Sequence, residues 1–539
     1  MELLRELTRL QDEKGWLDEA TLRELSSRLR VPLYRLQGLV SFYPHYRTEP
    51  PPRVEVHVCR DVVCSMAGRD ALTAELRAAL ENRDDVELCE VSCLGRCDSA
   101  PALAVNDQPL APRTLADVNF VLGLIDSPQG AEPVPQRTPR RWKCDPYDSD
   151  DARYGTVRSL VAGGEDLRSI CLERLKESGL RGMGGAGFPT GTKWELVSRE
   201  QASPKYVICN ADESEPATFK DRVILAELPH LVIEGMLLAG LAVGAEQGIV
   251  YLRHEYSPER QALEAALEQA RAAGILGEDA SGSGRRFEIQ IFVSPGGYIL
   301  GEETALLEAL EDKRGEPRNK PPYPVTHGLW GQPTLINNVE TFTLAVPIIR
   351  NGADWWRDLG KDECAGLKFV SISGDVEKPD VYEIPVGTTV AELIELAGGM
   401  REGKRLKAFL PGGASTNFLP AALADTPLDF ESMRQAGSAL GTGAVLAIAD
   451  DRNLYDLATN LVRFFRNESC GKCVPCRVGT EQAVNLLEAV RTHGSDAGEL
   501  ASLTDLGETL EQTSICGLGQ VALNPILSML KHFPDEVPQ

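Results

Sequence analysis

The chain has no block of lysine and arginine: its 539 residues carry 56 basic against 80 acidic side chains, a formal net charge of -24. With no basic patch to neutralise backbone phosphates, nucleic-acid binding is excluded as a function class. An anionic ligand must be held by local donors and a few lysines, not by the global field. The opening MELLRELTRLQDEKGWLDEA is charged and helical in period, and it lacks the apolar centre of a secretory signal. Long apolar runs are missing as well. The longest, 231–245, is interrupted by Glu234 and falls short of the roughly 20 residues that span a bilayer. These absences predict a cytoplasmic chain with no direct membrane insertion, which would reach a membrane only through partners.

Cysteine is plentiful, at thirteen residues. In an intracellular chain, clustered cysteines signify metal or redox chemistry instead of disulfides. Cys59 and Cys64 (C-x4-C) and Cys93 and Cys97 (C-x3-C) sit at the ends of expected strands in a compact α/β unit, so two loops can bring four thiolates to one point. That donor set suits an iron–sulfur cluster or zinc. Cys470, Cys473 and Cys476 form C-x2-C-x2-C in ESCGKCVPCRVGT, and Cys516, in SICGLG, is the remote fourth ligand returned by a helical hairpin. Three thiolates on one tight loop match a grip on a 4Fe-4S cubane, with zinc the alternative. Cys89, Cys144, Cys171, Cys209 and Cys364 are scattered and read as packing residues or spare thiols.

The stretch 179–194, GLRGMGGAGFPTGTKW, holds six glycines in sixteen residues ahead of an expected helix. Glycine lets backbone N–H groups approach a ligand and a helix N-terminus adds positive partial charge, so this is a phosphate cradle, or alternatively a mobile turn. Around it, strands (KYVICNA, GIVYLR, FEIQIFVS) alternate with helices, which predicts a three-layer, Rossmann-like α/β domain with a mostly parallel sheet. The loops after those strands carry Asn210, Asp212, Glu213, Ser214 and Glu215. Gly301, Glu302 and Glu303 open a helix, and Asn337 with Asn338 reads as a paired-amide turn. With Lys193 and Lys320 these residues describe a site for phosphate, sugar hydroxyls and heterocycle edges.

The chain divides into a helical segment 1–50, an α/β unit 51–127, a Pro-rich exposed linker 128–151, the central domain 152–351, a β-grasp-like module 352–450 and a helical region 451–539. The module at 352–450 shows no chemistry of its own and reads as a spacer or interface.

GMGGAGFPTGTKW, NADESEPATFKDR, GYILGEETALLEALEDKRGEPRNKPPYP, GLWGQPTLINNVET and ESCGKCVPCRVGT with ICGLG resemble the flavoprotein subunit of respiratory complex I and its diaphorase relatives. The C-x4-C and C-x3-C unit resembles the thioredoxin-like 2Fe-2S subunit that accompanies it. Their fusion is similar to the beta subunits of NAD-dependent molybdenum or tungsten formate dehydrogenases and, more loosely, to NAD-reducing hydrogenases. The resemblance implies a multidomain α/β chain with a thioredoxin-like 2Fe-2S domain, a Rossmann-like FMN/NAD domain, an SLBB module of β-grasp type and a helical 4Fe-4S domain. It implies FMN lined by Gly182, Gly184, Gly185, Lys193, Asn210, Asp212, Glu213, Ser214, Tyr298, Gly301, Glu302, Asn337 and Asn338. Phe188, Glu215, Glu303, Lys320 and Tyr323 would contact NAD(H), with Glu303 and Phe188 nearest the chemistry. Hydride would pass between nicotinamide and flavin with no protein acid or base, and a large partner subunit carrying further clusters, of formate dehydrogenase alpha type, would hold the terminal substrate. Complex I, a hydrogenase and a non-enzymatic iron–sulfur scaffold are the alternatives. Met183 replaces a frequent Arg, Ala217 a usual Gly, Leu300 a common Cys, and Leu196 an aromatic expected near adenine.

Overall fold

The computed structural model describes residues 2–110, 118–126, 140–164, 166–494 and 497–539. Three helices open the chain, Glu2–Lys14, Glu19–Leu29 and Leu33–Val40, and the first buries Leu3, Leu4 and Leu7 at helical spacing. They dock on the central domain. The Asp312 carboxylate accepts the Glu2 and Leu4 N–H groups at 2.9 and 3.1 Å, supplying the first helix with a cap from a distant turn.

The first sheet has the order β2-β1-β3-β4, with β1 (Val54–Cys59) parallel to β2 (Val86–Val91) and antiparallel to β3 (Leu103–Val105), which pairs with β4 (Gln108–Pro109). Val54, Val56 and Val58 alternate into a core shared with helices Arg69–Leu80 and Val118–Asp126. The sequence pattern predicts a start near residue 115 for that second helix, a position outside the described residues.

The central sheet is wholly parallel, in the order β7-β6-β5-β8: β5 is Tyr206–Ala211, β6 Gln247–Arg253, β7 Glu288–Ser294 and β8 Thr334–Asn338. The chain winds outward from β5 through β6 to β7, and β8 then returns to the other side of β5. That reversal opens a crevice at the carboxyl ends of β5 and β8, where ligands bind in open α/β sheets. Asn210 and Asn338 are direct partners across it. Helix Pro229–Val243 is buried along nearly its whole length and meets helix Val339–Asn351 at Gly235, where a Cβ would lie 2.2 Å from Phe342 O. Among the described residues no single helix is long and apolar enough to cross a membrane.

Asn337 and Asn338 do not form the expected turn. They end β8, and the Asn338 side chain accepts the Glu340 N–H at 2.9 Å to cap the following helix. Asparagine serves turns and helix caps alike, and the apolar TLI ahead of the pair was the strand signal.

The third sheet is mixed, in the order β10-β9-β13-β11-β12, from β9 (Leu367–Gly374), β10 (Asp380–Pro385), β11 (Leu406–Leu410), β12 (Leu419–Pro420) and β13 (Ala444–Ala449). The C-terminal region is helical from Leu454, with helices Val474–His493 and Ala497–Thr513 making the hairpin expected between Cys476 and Cys516. The linker's residues 128–139 lie outside the described residues. From Arg140 the linker is exposed only in part: Arg141, Lys143 and Asp148 face solvent, but Trp142 and Cys144 are buried, and the Lys143 and Cys144 amides donate to Glu383 on β10.

Candidate active site and cluster loops

The glycine loop is closed on itself. Gly182 N donates to Phe188 O and Thr190 N to Leu180 O, each at 2.8 Å, and the loop runs straight into helix Thr190–Arg199. Gly184 lies so close to the crevice floor that a Cβ would stand 3.1 Å from Asn338 Cβ. Gly187 has φ +63°, and a side chain there would meet the Phe430 ring at 2.7 Å, so glycine is required twice over. Gly185, also at positive φ, faces residues 441 and 442. The module 352–450 therefore packs directly on the loop: Arg181 lies 4.6 Å from the Phe430 ring centroid, and Lys368 Nζ reaches Met183 Sδ at 3.6 Å. As a spacer it is misread, and as an interface it is read correctly.

Across the crevice, Asn210 Nδ2 donates to Gly301 O at 2.8 Å, and the Asp212 amide and the Ser214 hydroxyl close a local network with Asn210 and Asp212. Asp212 Oδ2 is buried with no hydrogen-bond partner, an acceptor left for a ligand. Burial holds the Asp212 carboxyl up at about 6. Glu302 caps helix Glu303–Leu310 through Thr304 N and Ala305 N at 2.8 and 2.9 Å. Its other oxygen accepts Lys320 Nζ at 2.9 Å, Lys320 also donates to Glu303 at 2.8 Å, and Glu303 lies 3.7 Å from Lys193 Nζ. The four residues thus form a row of alternating charge. Burial lowers the Lys193 pKa, and in Glu303 burial is outweighed by the two lysines, which hold its carboxyl below the ordinary value. Lys193 also donates to Ile336 O at 3.0 Å, and Trp194 Nε1 to Asn337 Oδ1 at 3.2 Å. Phe188, Leu196 and Tyr323 are exposed large apolar side chains.

Three other expected residues make contacts with distant parts of the chain. Glu213 accepts the Asp221 and Arg222 amides at 2.9 and 3.1 Å, opening helix Lys220–Glu227, and is pushed up to about 8, mainly by burial. Glu215 accepts Ser415 N at 2.7 Å from the third-sheet module and is raised to about 7 by burial. Tyr298 packs its ring 5.1 Å from Phe464, on the C-terminal helices. Ala217 adopts φ +73°, a left-handed backbone that explains why glycine is expected there.

None of the thirteen cysteines forms a disulfide. Cys59, Cys64, Cys93 and Cys97 are buried together: the Cys93 and Cys97 sulfurs lie 3.6 Å apart, and Gly95 N and Ala102 N donate to Cys93 Sγ and Cys64 Sγ at 3.4 and 3.3 Å. Backbone donors aimed at sulfur fit thiolates held by a cluster. Three arginines fasten this loop to the central domain. Arg96 pairs with Glu259 at 2.9 and 3.0 Å, Arg222 with Asp98 at 2.6 Å, and Arg253 donates to Cys93 O at 2.6 Å. In the second set, Cys470, Cys473 and Cys516 surround Cys476 closely enough for each to raise its pKa, although burial is the larger cause; it stands at about 12, with Ser469 Oγ 3.2 Å from its sulfur.

Sequence reasoning did not find Lys368, Arg253 or Glu468. Lys368 sits inside β9, its Nζ 3.3 Å from the buried Glu340, and Gly443 leaves room for it, since a Cβ there would lie 2.3 Å from Lys368 Cε. A lone lysine in the otherwise apolar strand LKFVSISG was the available signal.

Comparison with known proteins agrees with this layout. Residues 1–125 match a thioredoxin-like [2Fe-2S] ferredoxin, 175–347 the Nuo51 FMN-binding domain, 369–418 an SLBB domain and 456–539 the NADH-ubiquinone oxidoreductase-F iron–sulfur binding region. The F-type subunit of NADH-quinone oxidoreductase in Escherichia coli is 40% identical over 415 residues, 75% of this chain and 93% of the relative. An F-type subunit of the same enzyme in Rhizobium meliloti is 44% identical over 384 residues, 71% and 91% of the two chains. The solved structure of a NAD+-reducing [NiFe]-hydrogenase in the H2-reduced state superposes with a TM-score of 0.89 at 34% identity, covering 98% of this chain and 92% of that one. The chain belongs to the family of F-type NADH-quinone oxidoreductase subunits, here carrying a thioredoxin-like 2Fe-2S domain, an FMN-binding domain, an SLBB domain and a 4Fe-4S region in one polypeptide.

Proposed function

We propose that this chain is the diaphorase subunit of a cytoplasmic multi-subunit oxidoreductase, exchanging hydride with NAD(H) and single electrons with a partner's catalytic subunit. The observation that supports it most is spatial: the crevice at the β5/β8 reversal is flanked by the row Lys193, Glu303, Lys320 and Glu302, the first thiol set is tied to the central domain through Arg253 and Cys93 O, and the second through Lys472 and Pro317 O. Bound FMN accepts a hydride's two electrons and releases them singly, which links a two-electron donor to one-electron clusters.

The chain's own residues bind and orient. Gly182, Gly184 and Gly185 present backbone to the flavin phosphate at the start of a helix. Asn210, Asp212, Asn337 and Asn338 supply amide and carboxylate edges, and Asp212 Oδ2 is the acceptor still without a donor. Phe188 and Tyr323 offer exposed rings for stacking on the nicotinamide cofactor, while Glu303 and Lys320 hold its polar groups. Glu213, Glu215 and Tyr298 act one layer out, fixing the acidic loop and the turn at Gly301. Phe430, against Gly187, and the 411–416 loop, bonded to Glu215, would close one side of the site against water. The domain limits 1–50, 51–127, 152–351, 352–450 and 451–539 serve as the functional units.

The partner we favour is the large subunit of an NAD-dependent molybdenum or tungsten formate dehydrogenase, on the grounds of the fused arrangement. A hydrogenase is the second reading, favoured by the match over 98% of the chain. Isolating the native complex and identifying its large subunit decides: a pterin-bound molybdenum or tungsten supports the first, nickel the second. Stoichiometric FMN released from the purified chain by heat supports the diaphorase reading, and its absence favours a non-enzymatic iron–sulfur scaffold.

A further inference from the structure

Glu468 lies outside the nucleotide crevice and is a ligand in neither thiol set, yet its carboxylate joins the 2Fe-2S loop to the flavin-side turn while its backbone leads into the 4Fe-4S loop. One oxygen accepts the Ser92 hydroxyl, one residue from Cys93; the other accepts the Tyr298 N–H at 2.8 Å, at the start of the turn Tyr298–Gly301 that leads into Glu302 and Glu303. Glu468 itself precedes Cys470 by two residues. Nearby contacts run the same way. Asn460 Nδ2 donates to Arg60 O at 3.0 Å, beside Cys59, and the Tyr298 ring packs 5.1 and 6.2 Å from Phe464 and Phe465 on the helix that ends at Glu468. Two donors from two different domains need two acceptor oxygens a fixed distance apart, which a carboxylate provides. An apolar side chain would leave the Tyr298 N–H without a partner and the Ser92 O–H without its acceptor, with only the Arg60 guanidinium still donating to the Ser92 oxygen at 3.3 Å.

We propose that Glu468 is a positioning residue that sets the spacing of the 2Fe-2S loop, the flavin-side turn and the 4Fe-4S loop, and through that spacing the rate at which electrons reach the 2Fe-2S centre. The electron-transfer part rests on the diaphorase reading. Glutamine can hold both arms, because its carbonyl accepts from Tyr298 N and its amide donates to the Ser92 oxygen, which uses its two lone pairs for that amide and for Arg60. The planar fork matters and the charge does not.

The test uses the full chain loaded with flavin and iron, comparing the parent with E468Q, E468A and S92A. Flavin and iron contents and the EPR signal of each dithionite-reduced cluster are expected to be parental in all four. Freeze-quenched mixing with NADH is expected to show the 2Fe-2S signal forming about tenfold or more slowly in E468A and S92A and within about twofold of the parent in E468Q, since small misplacements at a reacting site carry penalties of this order and larger. Pulsed EPR between the two dithionite-reduced clusters is expected to give a broader distance distribution in E468A and S92A alone. Parental rates and distances in E468A, or E468Q failing as badly as E468A, overturn the proposal. If E468A loses its clusters, S92A decides, and parental behaviour there overturns it equally. A parent that NADH does not reduce sinks the diaphorase reading, while the distance measurement still judges the role of Glu468.

Discussion

Replacing Arg96 tests how the 2Fe-2S loop is held. Arg96 and Glu259 are 5% and 3% exposed, and they meet through two parallel hydrogen bonds of 2.9 and 3.0 Å. Arg96→Ala strands the Glu259 carboxylate in the interface, and breaking one side of a buried pair costs about 3 to 5 kcal/mol. At roughly 1.4 kcal/mol per factor of ten, the undocked population of the loop rises by about two to three and a half orders of magnitude. Arg222 and Arg253 keep their own contacts with Asp98 and Cys93 O, so the domain stays folded while the loop opens more often. Hydrogen exchange measured by mass spectrometry is the assay. Protection is expected to fall in residues 93–99 and in the first turn of helix Ser257–Ala272, and the double variant R96L/E259L, which leaves no uncompensated charge, is expected to recover most of it. Unchanged exchange in R96A, or a double variant no better than the single one, would refute the reasoning.

Other outcomes follow from the same contacts. C516S is expected to abolish the 4Fe-4S EPR signal and leave the 2Fe-2S signal intact; loss of both together contradicts two separate ligand sets. E303Q removes the charge between Lys193 and Lys320, a charge-assisted contact of about 1.5 to 3 kcal/mol, so kcat/KM for NADH should fall by about ten- to a hundredfold with FMN content near parental. Parental kinetics in E303Q would show it misplaced. The fold holds the Glu215 carboxyl at about 7, above its ordinary 4.5, so the folded chain keeps a proton that the unfolded chain sheds. Stability of the flavin-free chain should therefore fall as pH rises from about 4.5 to 7, and E215Q should flatten part of that slope. Equal slopes in parent and E215Q would remove Glu215 as a contributor.

Much of this was legible in the residues because the signals were local. C-x2-C-x2-C states its own geometry, and strand–loop–helix alternation places the chemistry at strand ends. What was not legible depended on contacts between distant segments. Glu213 and Glu215 enter the expected site through the resemblance, and no local signal shows that the one also caps a helix that begins seven residues later and the other accepts the Ser415 N–H. The module at 352–450 looked inert because its contribution, Lys368, Phe430 and Ser415, gains meaning only where it meets the glycine loop and Glu215. Met183 lost an expected charge in sequence, and the fold places the Lys368 ammonium 3.6 Å from its sulfur. Asn337 and Asn338 were misassigned because one residue type serves both turns and caps.

The central claim is tested most directly by anaerobic titration of the purified, cofactor-loaded chain with NADH, followed by visible absorbance and EPR. Flavin absorbance is expected to bleach within the first equivalents, and signals from both a 4Fe-4S and a 2Fe-2S cluster are expected to appear. A chain that contains stoichiometric flavin and iron and leaves both oxidised in excess NADH would contradict the claim.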